Sequence, residues 1–217
     1  RQHGWNLFHI NALFDIENGI YTDVIVQKEH TKHESMALRE MAERSAIAAP
    51  VILLADRNYE AYNNFACLEK RGWKYLIRIK DRDRKNAYGV KLPDEPEFDL
   101  PVRMTLGRLT PQQLRQHDIP VPEYYYRLPN SIPFDYLDAE STDFYEFSAR
   151  IVRLMLKDGR AQLLITDLDA EQFPLSALRE LYTRRWGIET SFRELKYTVG
   201  LIHLHSRKSD LVLQEIF

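Results

Sequence analysis

Three observations predict an α/β fold, a mixed sheet flanked by helices. Runs in which apolar residues alternate are interleaved with runs of helical spacing, one short run is apolar at every position, and 44% of the 217 residues are apolar. That apolar share is enough for a buried core and excludes a disordered chain.

In residues 6–16, Phe8, Ile10, Ala12, Phe14 and Ile16 take alternate positions, so a strand with that face on a core is expected. Glu17-Asn18-Gly19 supplies a tight turn. Residues 20–27, rich in β-branched and aromatic side chains, return as the second strand of an antiparallel hairpin. Residues 34–46 carry Met36, Leu38, Met41 and Ala42 in a good helix-forming background that stops before Pro50. Residues 51–55 are apolar throughout, as a strand buried on both faces reads, and the run ends at Asp56. A helix over 59–71 follows, with Phe65 and Leu68 on one side and Gly72 as its stop. Residues 73–80 alternate Tyr75, Ile77 and Ile79 with Lys74, Arg78 and Lys80, another strand. Further strands are expected near 144–156 and 162–166, then one long helix over about 175–199. A hairpin followed by right-handed βα units gives one mixed sheet.

Charge divides the chain. The net charge is −2, which taken alone argues against a nucleic-acid partner. Residues 92–146, however, hold eleven acids against four arginines, a balance of −7, together with eight of the ten prolines. The remainder is therefore basic. Prolines at this density exclude long helices, so the stretch is expected to be a separate acidic, β-rich insertion. The expected divisions are a first core part over 1–82, the insertion over 83–170, and C-terminal core helices over 171–217. No run approaches the roughly 20 apolar residues of a membrane span. The single cysteine, Cys67, excludes an internal disulfide framework and fits a reducing, cytoplasmic compartment. The chain opens on Arg1 without a signal pattern and is read as a piece of a longer protein.

Two places carry candidate chemistry. Asp56 ends an apolar strand, and ligand sites of open α/β sheets lie beyond the carboxyl ends of their strands; an aspartate there is also an ordinary N-cap for the next helix. In the last helix, Tyr182, Arg185, Glu189 and Lys196 fall at roughly 0°, 300°, 340° and 320° on a helical wheel, one stripe. Leu181, Ile188, Phe192, Leu195 and Val199 form the neighbouring apolar stripe, so the polar stripe is expected beside the core rather than opposite it. The bland alternative is an ordinary i, i+4 ion pair between Arg185 and Glu189.

The spacing Tyr182-x2-Arg185-x3-Glu189-x6-Lys196, within LYTRRWGIETSFRELK, resembles the Y-x2-R-x3-E-x6-K signature of bacterial insertion-sequence transposases of the DDE class. VILLADRNY resembles that family's segment around its second catalytic aspartate, and HINALFDI with IYTDVIVQ resembles the strand pair before it. The resemblance covers residues 5–80 and 160–217 and matches the acidic stretch least. It implies a ribonuclease H-like core with a β-rich insertion before the helix bearing the glutamate. It also implies Asp56 and Glu189 as catalytic carboxylates on two Mg²⁺ (or Mn²⁺) ions, with Tyr182, Arg185 and Lys196 on DNA phosphates. The activity implied is cleavage of transposon ends and strand transfer to target DNA by a bacterial, nucleoid-associated protein that is a homodimer on DNA. The alternative is a truncated or inactive transposase that binds DNA without cutting it. The chemistry is coherent, because a pair of Mg²⁺ ions needs carboxylate oxygens from separate elements and no His or Cys.

The family's first carboxylate stands on a strand before the hairpin, so it is expected upstream of Arg1. Asp15 and Asp23, the early candidates within the chain, fall where the resemblance assigns fold roles. His30 with His33 and His203 with His205 lack a second pair at zinc-site spacing and read as surface residues. Trp186 and the run Tyr124-Tyr125-Tyr126 read as packing groups. The eight cations of residues 70–85 form a solvated face or a contact for the DNA backbone.

Overall fold

A computed structural model describes residues 8–28, 33–48, 50–80, 86–156, 159–198, 211 and 214. The chain divides into two compact units, Arg1–Ala46 with Glu180–Phe217, and Ile47–Arg179. Val199 and the pair His203 and His205 lie outside the described residues, as do His30 and the cations Arg82, Arg84 and Lys85.

In the first unit, β1 (Phe8–Asp15) and β2 (Ile20–Lys28) form the expected antiparallel hairpin, with a register shift between Leu13 and Phe14. The turn closes because Asp15 accepts from the backbone N–H groups of Glu17 (2.9 Å) and Asn18 (3.1 Å), while Gly19 takes a φ of +67°. Helix α1 (Glu34–Arg44) packs on both strands through Ala37, Leu38, Met41 and Ala42. His33 caps it, its side chain accepting from Met36 N at 3.3 Å. Arg44 donates to both carboxylate oxygens of Asp23, at 2.7 and 2.6 Å. Asp15 and Asp23 are thus both spent on the hairpin and its helix, as the resemblance implied.

The hairpin's two faces serve different helices. His9 meets Glu34 of α1 at 3.2 Å, and Asn11 and Leu13 on that same face are buried. Phe14 and Ile16, on the alternate face, lie against Gly187, where an added Cβ would sit 3.9 and 3.7 Å from them. The expected core face is therefore half-buried and the opposite face holds the buried positions, because helices cover both. Tyr21 reaches the same helix through a 2.8 Å hydrogen bond to Ser191 and a ring contact with Phe192 at 5.8 Å.

That helix corrects one expectation. Instead of one helix over 175–199, the chain forms α4 (Leu175–Arg184) and α5 (Trp186–Tyr197), interrupted at Arg185. Arg185 N bonds to Tyr182 O at 3.1 Å, three residues back rather than four, so the ladder tightens for one turn. Gly187, a weak helix former, stands two residues on, within the first turn of α5.

The second unit is built on a six-stranded mixed sheet. Its order is β3 (Ile52–Ala55), β4 (Lys74–Arg78), β10 (Ala161–Thr166), β9 (Tyr145–Met155), β7 (Phe98–Gly107), β8 (Tyr125–Arg127). β3 with β4 and β7 with β8 are parallel; the other neighbours are antiparallel. β5 (Asn86–Ala87) and β6 (Val90–Lys91) make a separate small hairpin. Helices α2 (Tyr62–Lys70) and α3 (Pro111–Gln116) complete the unit. Tyr75, Leu76 and Ile77 of β4 and Phe65 and Leu68 of α2 are fully buried, with the Phe65 and Tyr75 rings stacked at 5.0 Å.

Two features of this sheet differ from the sequence expectation. The β1–β2 hairpin is a sheet of its own among the described residues, and strands of the acidic stretch share the sheet of β3 and β4. Residues 83–170 carry β5 to β10, and β10 pairs with β4 on the edge that β3 leaves open, so strands of this part continue the sheet of β3 and β4. β3, expected to be buried on both faces, stands at the end of this sheet among the described residues, and its Ile52, Leu53 and Leu54 are half-buried. Apolar continuity reports that a strand is covered, not which strand lies beside it.

A buried arginine organises the proline-rich segment. Arg108 donates to the carbonyls of Leu137 (3.2 Å), Pro129 (3.0 Å), Ile132 (3.1 Å) and Phe134 (3.1 Å), gathering a segment without regular structure around one guanidinium. Asn63 and Asp135 exchange two hydrogen bonds, at 2.8 and 3.0 Å, and tie that segment to α2.

Candidate active site

Asp56 immediately follows Ala55, the last residue of β3, and occupies the N-cap position of a single 3-10 turn over Arg57–Tyr59. Its backbone carbonyl accepts from Tyr59 N at 3.1 Å, but its side chain makes no capping hydrogen bond. The ordinary use of an aspartate at this position is therefore not made. Its Oδ1 is buried without a hydrogen-bond partner, and Arg78 Nη1 stands 3.6 Å away. Because β3 and β4 are parallel with Ala55 opposite Ile77, Arg78 reaches the same end of the sheet. Sequence reasoning counted Arg78 only as one of a basic run; its pairing across two parallel strands needs the register.

Glu189 lies in the first turn of α5, where the helix dipole favours a negative charge. Its Oε1 accepts from Arg185 Nη1 at 2.7 Å. The two side chains differ in exposure, 12% for Arg185 and 41% for Glu189. The Arg185 guanidinium carbon lies 5.4 Å from the ring centre of Tyr182 and 5.5 Å from that of Trp186. Tyr182 is 3% exposed and Trp186 51%, and Lys196 is exposed two turns beyond Glu189. The polar stripe is thus partly the buried one. Leu178 and Tyr182 are covered, while Leu181, Ile188, Phe192 and Leu195, expected as the core stripe, are half-buried. The interruption at Arg185 breaks the single wheel on which that expectation rested.

Carboxylate oxygens are hard donors of the kind Mg²⁺ prefers, and Asp56 Oδ1 makes no hydrogen bond, with the Arg78 guanidinium 3.6 Å away as its charged neighbour. Among the described residues, no three His, Cys, Asp or Glu side chains gather where a metal could sit. The basic run divides: Lys70 lies over the Tyr136 ring at 4.1 Å and Lys74 pairs with Asp167 at 3.1 Å, before and at the start of β4, whereas Arg78 stands at its end with Asp56. Tyr125 and Tyr126 pack within the second unit, against Phe144 and Tyr62, and Tyr124 is exposed.

A second carboxylate group escaped sequence reasoning. Glu69 accepts from the Tyr145 hydroxyl, and Asp167 accepts from Tyr75 N at 2.8 Å and from Lys74. Burial pushes both carboxyls above their ordinary range. These residues are far apart in sequence and only the sheet assembles them.

A mixed α/β chain with a carboxylate at a strand end and an Arg–Glu pair opening a helix belongs to a known class. Residues 1–217 match the family described as the transposase DDE domain, and the chain belongs to that family. Among its relatives is the transposase InsG for insertion sequence element IS4 of Escherichia coli (strain K12), 36% identical over 74 residues. That match covers 33% of this chain and 17% of the relative. Membership and relative together support transposase function. No helix among the described residues is long and apolar enough to cross a membrane.

Proposed function

We propose that this chain is part of the catalytic domain of an insertion-sequence transposase that cuts DNA at transposon ends and joins those ends to target DNA. The observation that supports this is Asp56, a carboxylate just beyond the end of β3 that makes no cap and whose Oδ1 takes no hydrogen bond, beside Arg78 at 3.6 Å. Asp56 and Glu189 are the two metal ligands this chain supplies, and the first carboxylate of the set lies upstream of Arg1 in the longer protein. Bound Mg²⁺ or Mn²⁺, two ions in the complete site, supplies activation of the attacking oxygen and stabilisation of the leaving one. Arg78 supplies a positive charge 3.6 Å from Asp56 at the same end of the sheet. Lys196, exposed on α5, meets a DNA phosphate, and Tyr182 supports the site from beneath.

The parent fold is ribonuclease H-like, in three parts over 1–82, 83–170 and 171–217, with the acidic middle part continuing the core sheet. The protein works as a homodimer on double-stranded DNA in the bacterial cytoplasm, associated with the nucleoid.

The test uses the chain extended by the upstream sequence encoded with it. Asp56→Asn and Glu189→Gln each lower Mg²⁺-dependent cleavage of transposon-end DNA by on the order of a thousandfold or more while DNA affinity holds. Full cleavage by either variant would remove that residue from the mechanism. DNA binding with no cleavage by the unsubstituted extended protein would favour the inactive-remnant alternative.

A further inference from the structure

We infer that Glu60 and Tyr88 act together as positioning residues for Asp56: the Glu60 carboxylate joins the loop that follows Asp56 to the chain just beyond Arg78 and to the first hairpin of the acidic part. This rests on the proposal that Asp56 is a metal ligand.

Asp56 does not cap the turn it opens and its Oδ1 takes no hydrogen bond, so the place of this carboxylate follows the backbone that carries it. Four residues on, Glu60 Oε2 accepts from the backbone N–H of Lys80 at 2.8 Å, and its Oε1 accepts from the Tyr88 hydroxyl at 2.9 Å. Lys80 lies two residues beyond Arg78. One carboxylate therefore ties together the exits of β3 and β4, the parallel strands whose ends carry Asp56 and Arg78. Asn64 of α2, fully buried, donates to Tyr59 O at 2.8 Å, so the two residues Tyr59 and Glu60 are both held.

Tyr88 is an unfavourable choice for its place unless its side chain is used. It and Gly89 take φ values of +49° and +74° in the two-residue turn between β5 and β6, where Asn-Gly is the favoured pair and a bulky side chain is disfavoured by backbone sterics. Its ring packs with those of Tyr62 at 5.6 Å and Phe147 at 6.2 Å. A phenylalanine would pack as well; the hydroxyl is what reaches Glu60. The β5–β6 hairpin, which shares no ladder with the six-stranded sheet, is thereby joined to the end of that sheet where Asp56 stands.

The experiment uses the extended chain and transposon-end DNA. Single-turnover cleavage is followed over a range of Mg²⁺ concentrations, duplex affinity is measured without metal, and amide hydrogen exchange is read by mass spectrometry over residues 56–60 and 79–80. Glu60→Ala is expected to lower the cleavage rate constant about 10- to 100-fold and to raise the Mg²⁺ concentration giving half the maximal rate, with duplex affinity unchanged. Tyr88→Phe keeps the ring, and is expected to lower the rate constant about 3- to 10-fold and to speed exchange over both segments; it serves as the test if Glu60→Ala fails to fold. The two changes combined are expected to be no worse than Glu60→Ala alone, because each residue acts through the other. Glu60→Gln is expected to stay within about 3-fold of the unsubstituted protein, since its Oε1 accepts from Lys80 N and its Nε2 donates to a Tyr88 hydroxyl turned to accept. A merely structural loss lowers the fraction of molecules that react, not their rate constant or Mg²⁺ requirement.

An unaltered rate constant and Mg²⁺ requirement in Tyr88→Phe would overturn the inference, as would unchanged exchange over 56–60 and 79–80. So would a Glu60→Gln protein as slow as Glu60→Ala, which would make the charge of Glu60 its contribution rather than its hydrogen bonds. Asp56→Asn separates this from the underlying proposal: if it cuts normally, or if the unsubstituted extended protein does not cut, both fall. If Asp56→Asn stops cleavage and the Glu60 and Tyr88 variants do not slow it, only the positioning role fails.

Discussion

Lys196 follows Glu189 by seven residues, about 20° round the helix and two turns along it, so both side chains leave α5 on one line. If Glu189 lies near the reacting phosphate, as proposed, a cation there would meet the backbone of the same duplex. Lys196→Ala is expected to weaken duplex binding uniformly across sequences and to reduce the slope of log affinity against log salt by about one; an unchanged slope would place the lysine outside the interface. Glu69 and Asp167 make a different prediction. Burial raises both carboxyls, so the folded state holds protons that the unfolded state releases. The stability they contribute is fully present below the ordinary carboxylate range and is lost as pH rises through their raised folded values. Asp15 and Asp23 act in the opposite sense: hydrogen bonds from Asn18 and Arg44 lower them, and their contribution is lost as pH falls. Glu69→Gln keeps an acceptor for the Tyr145 hydroxyl but removes the buried charge. Its melting temperature is therefore expected to gain on the unsubstituted protein as pH rises from about 4 to about 7. A difference that stays constant or shrinks would show that Glu69 titrates normally.

Two glycines test the packing of elements, with opposite signs. At Gly187, near the start of α5, an added Cβ would make ordinary contacts of 3.7 Å to Ile16 and 3.9 Å to Phe14. Gly187→Ala is thus expected to stabilise by roughly 0.5 kcal/mol through better helix propensity, read from the urea midpoint. At Gly107, the end of β7, an added Cβ would lie 2.6 Å from the Tyr125 ring and hydroxyl. Tyr125 cannot simply swing away, because its hydroxyl donates to Leu109 O. Gly107→Ala is expected to destabilise by about 1–3 kcal/mol in the same titration. The hairpin and α5 show how much local pattern conveys. Alternation over 6–16 located β1, and its turn residues located β2, yet neither said that helices would cover both faces. The helical wheel likewise placed four polar residues on one stripe but could not see that Arg185 interrupts the ladder or that Tyr182 is buried.

At the scale of the molecule, the sheet of the second unit crosses the boundary that composition suggested. β4 is paired with β3 on one edge and β10 on the other, and Tyr75 N donates to Asp167, just beyond β10. Removing residues 83–170 would strip one edge of a strand whose Leu76 and Ile77 are fully buried. A chain in which a short Gly-Ser linker replaces 83–170 is therefore expected to lose cooperative thermal unfolding and to give a collapsed amide proton spectrum. A cooperative transition in that chain would show that the acidic stretch is an independent insertion after all.

The amino-acid sequence by itself determined what depends on near neighbours: the hairpin and its turn, the strand ending at Asp56, the acidic, proline-rich stretch that cannot form long helices, and the spacing of Tyr182, Arg185, Glu189 and Lys196. The tertiary structure alone decided which strand edges meet, that the Asp56 carboxylate is not used as a cap, that Arg78 stands beside it, and that Glu69, Tyr145, Asp167 and Lys74 share one place. The reason is physical. Periodicity and turn chemistry act over a few residues, whereas strand pairing, burial and the partner of a charged group are settled between segments far apart in the chain, where several edges and several partners compete.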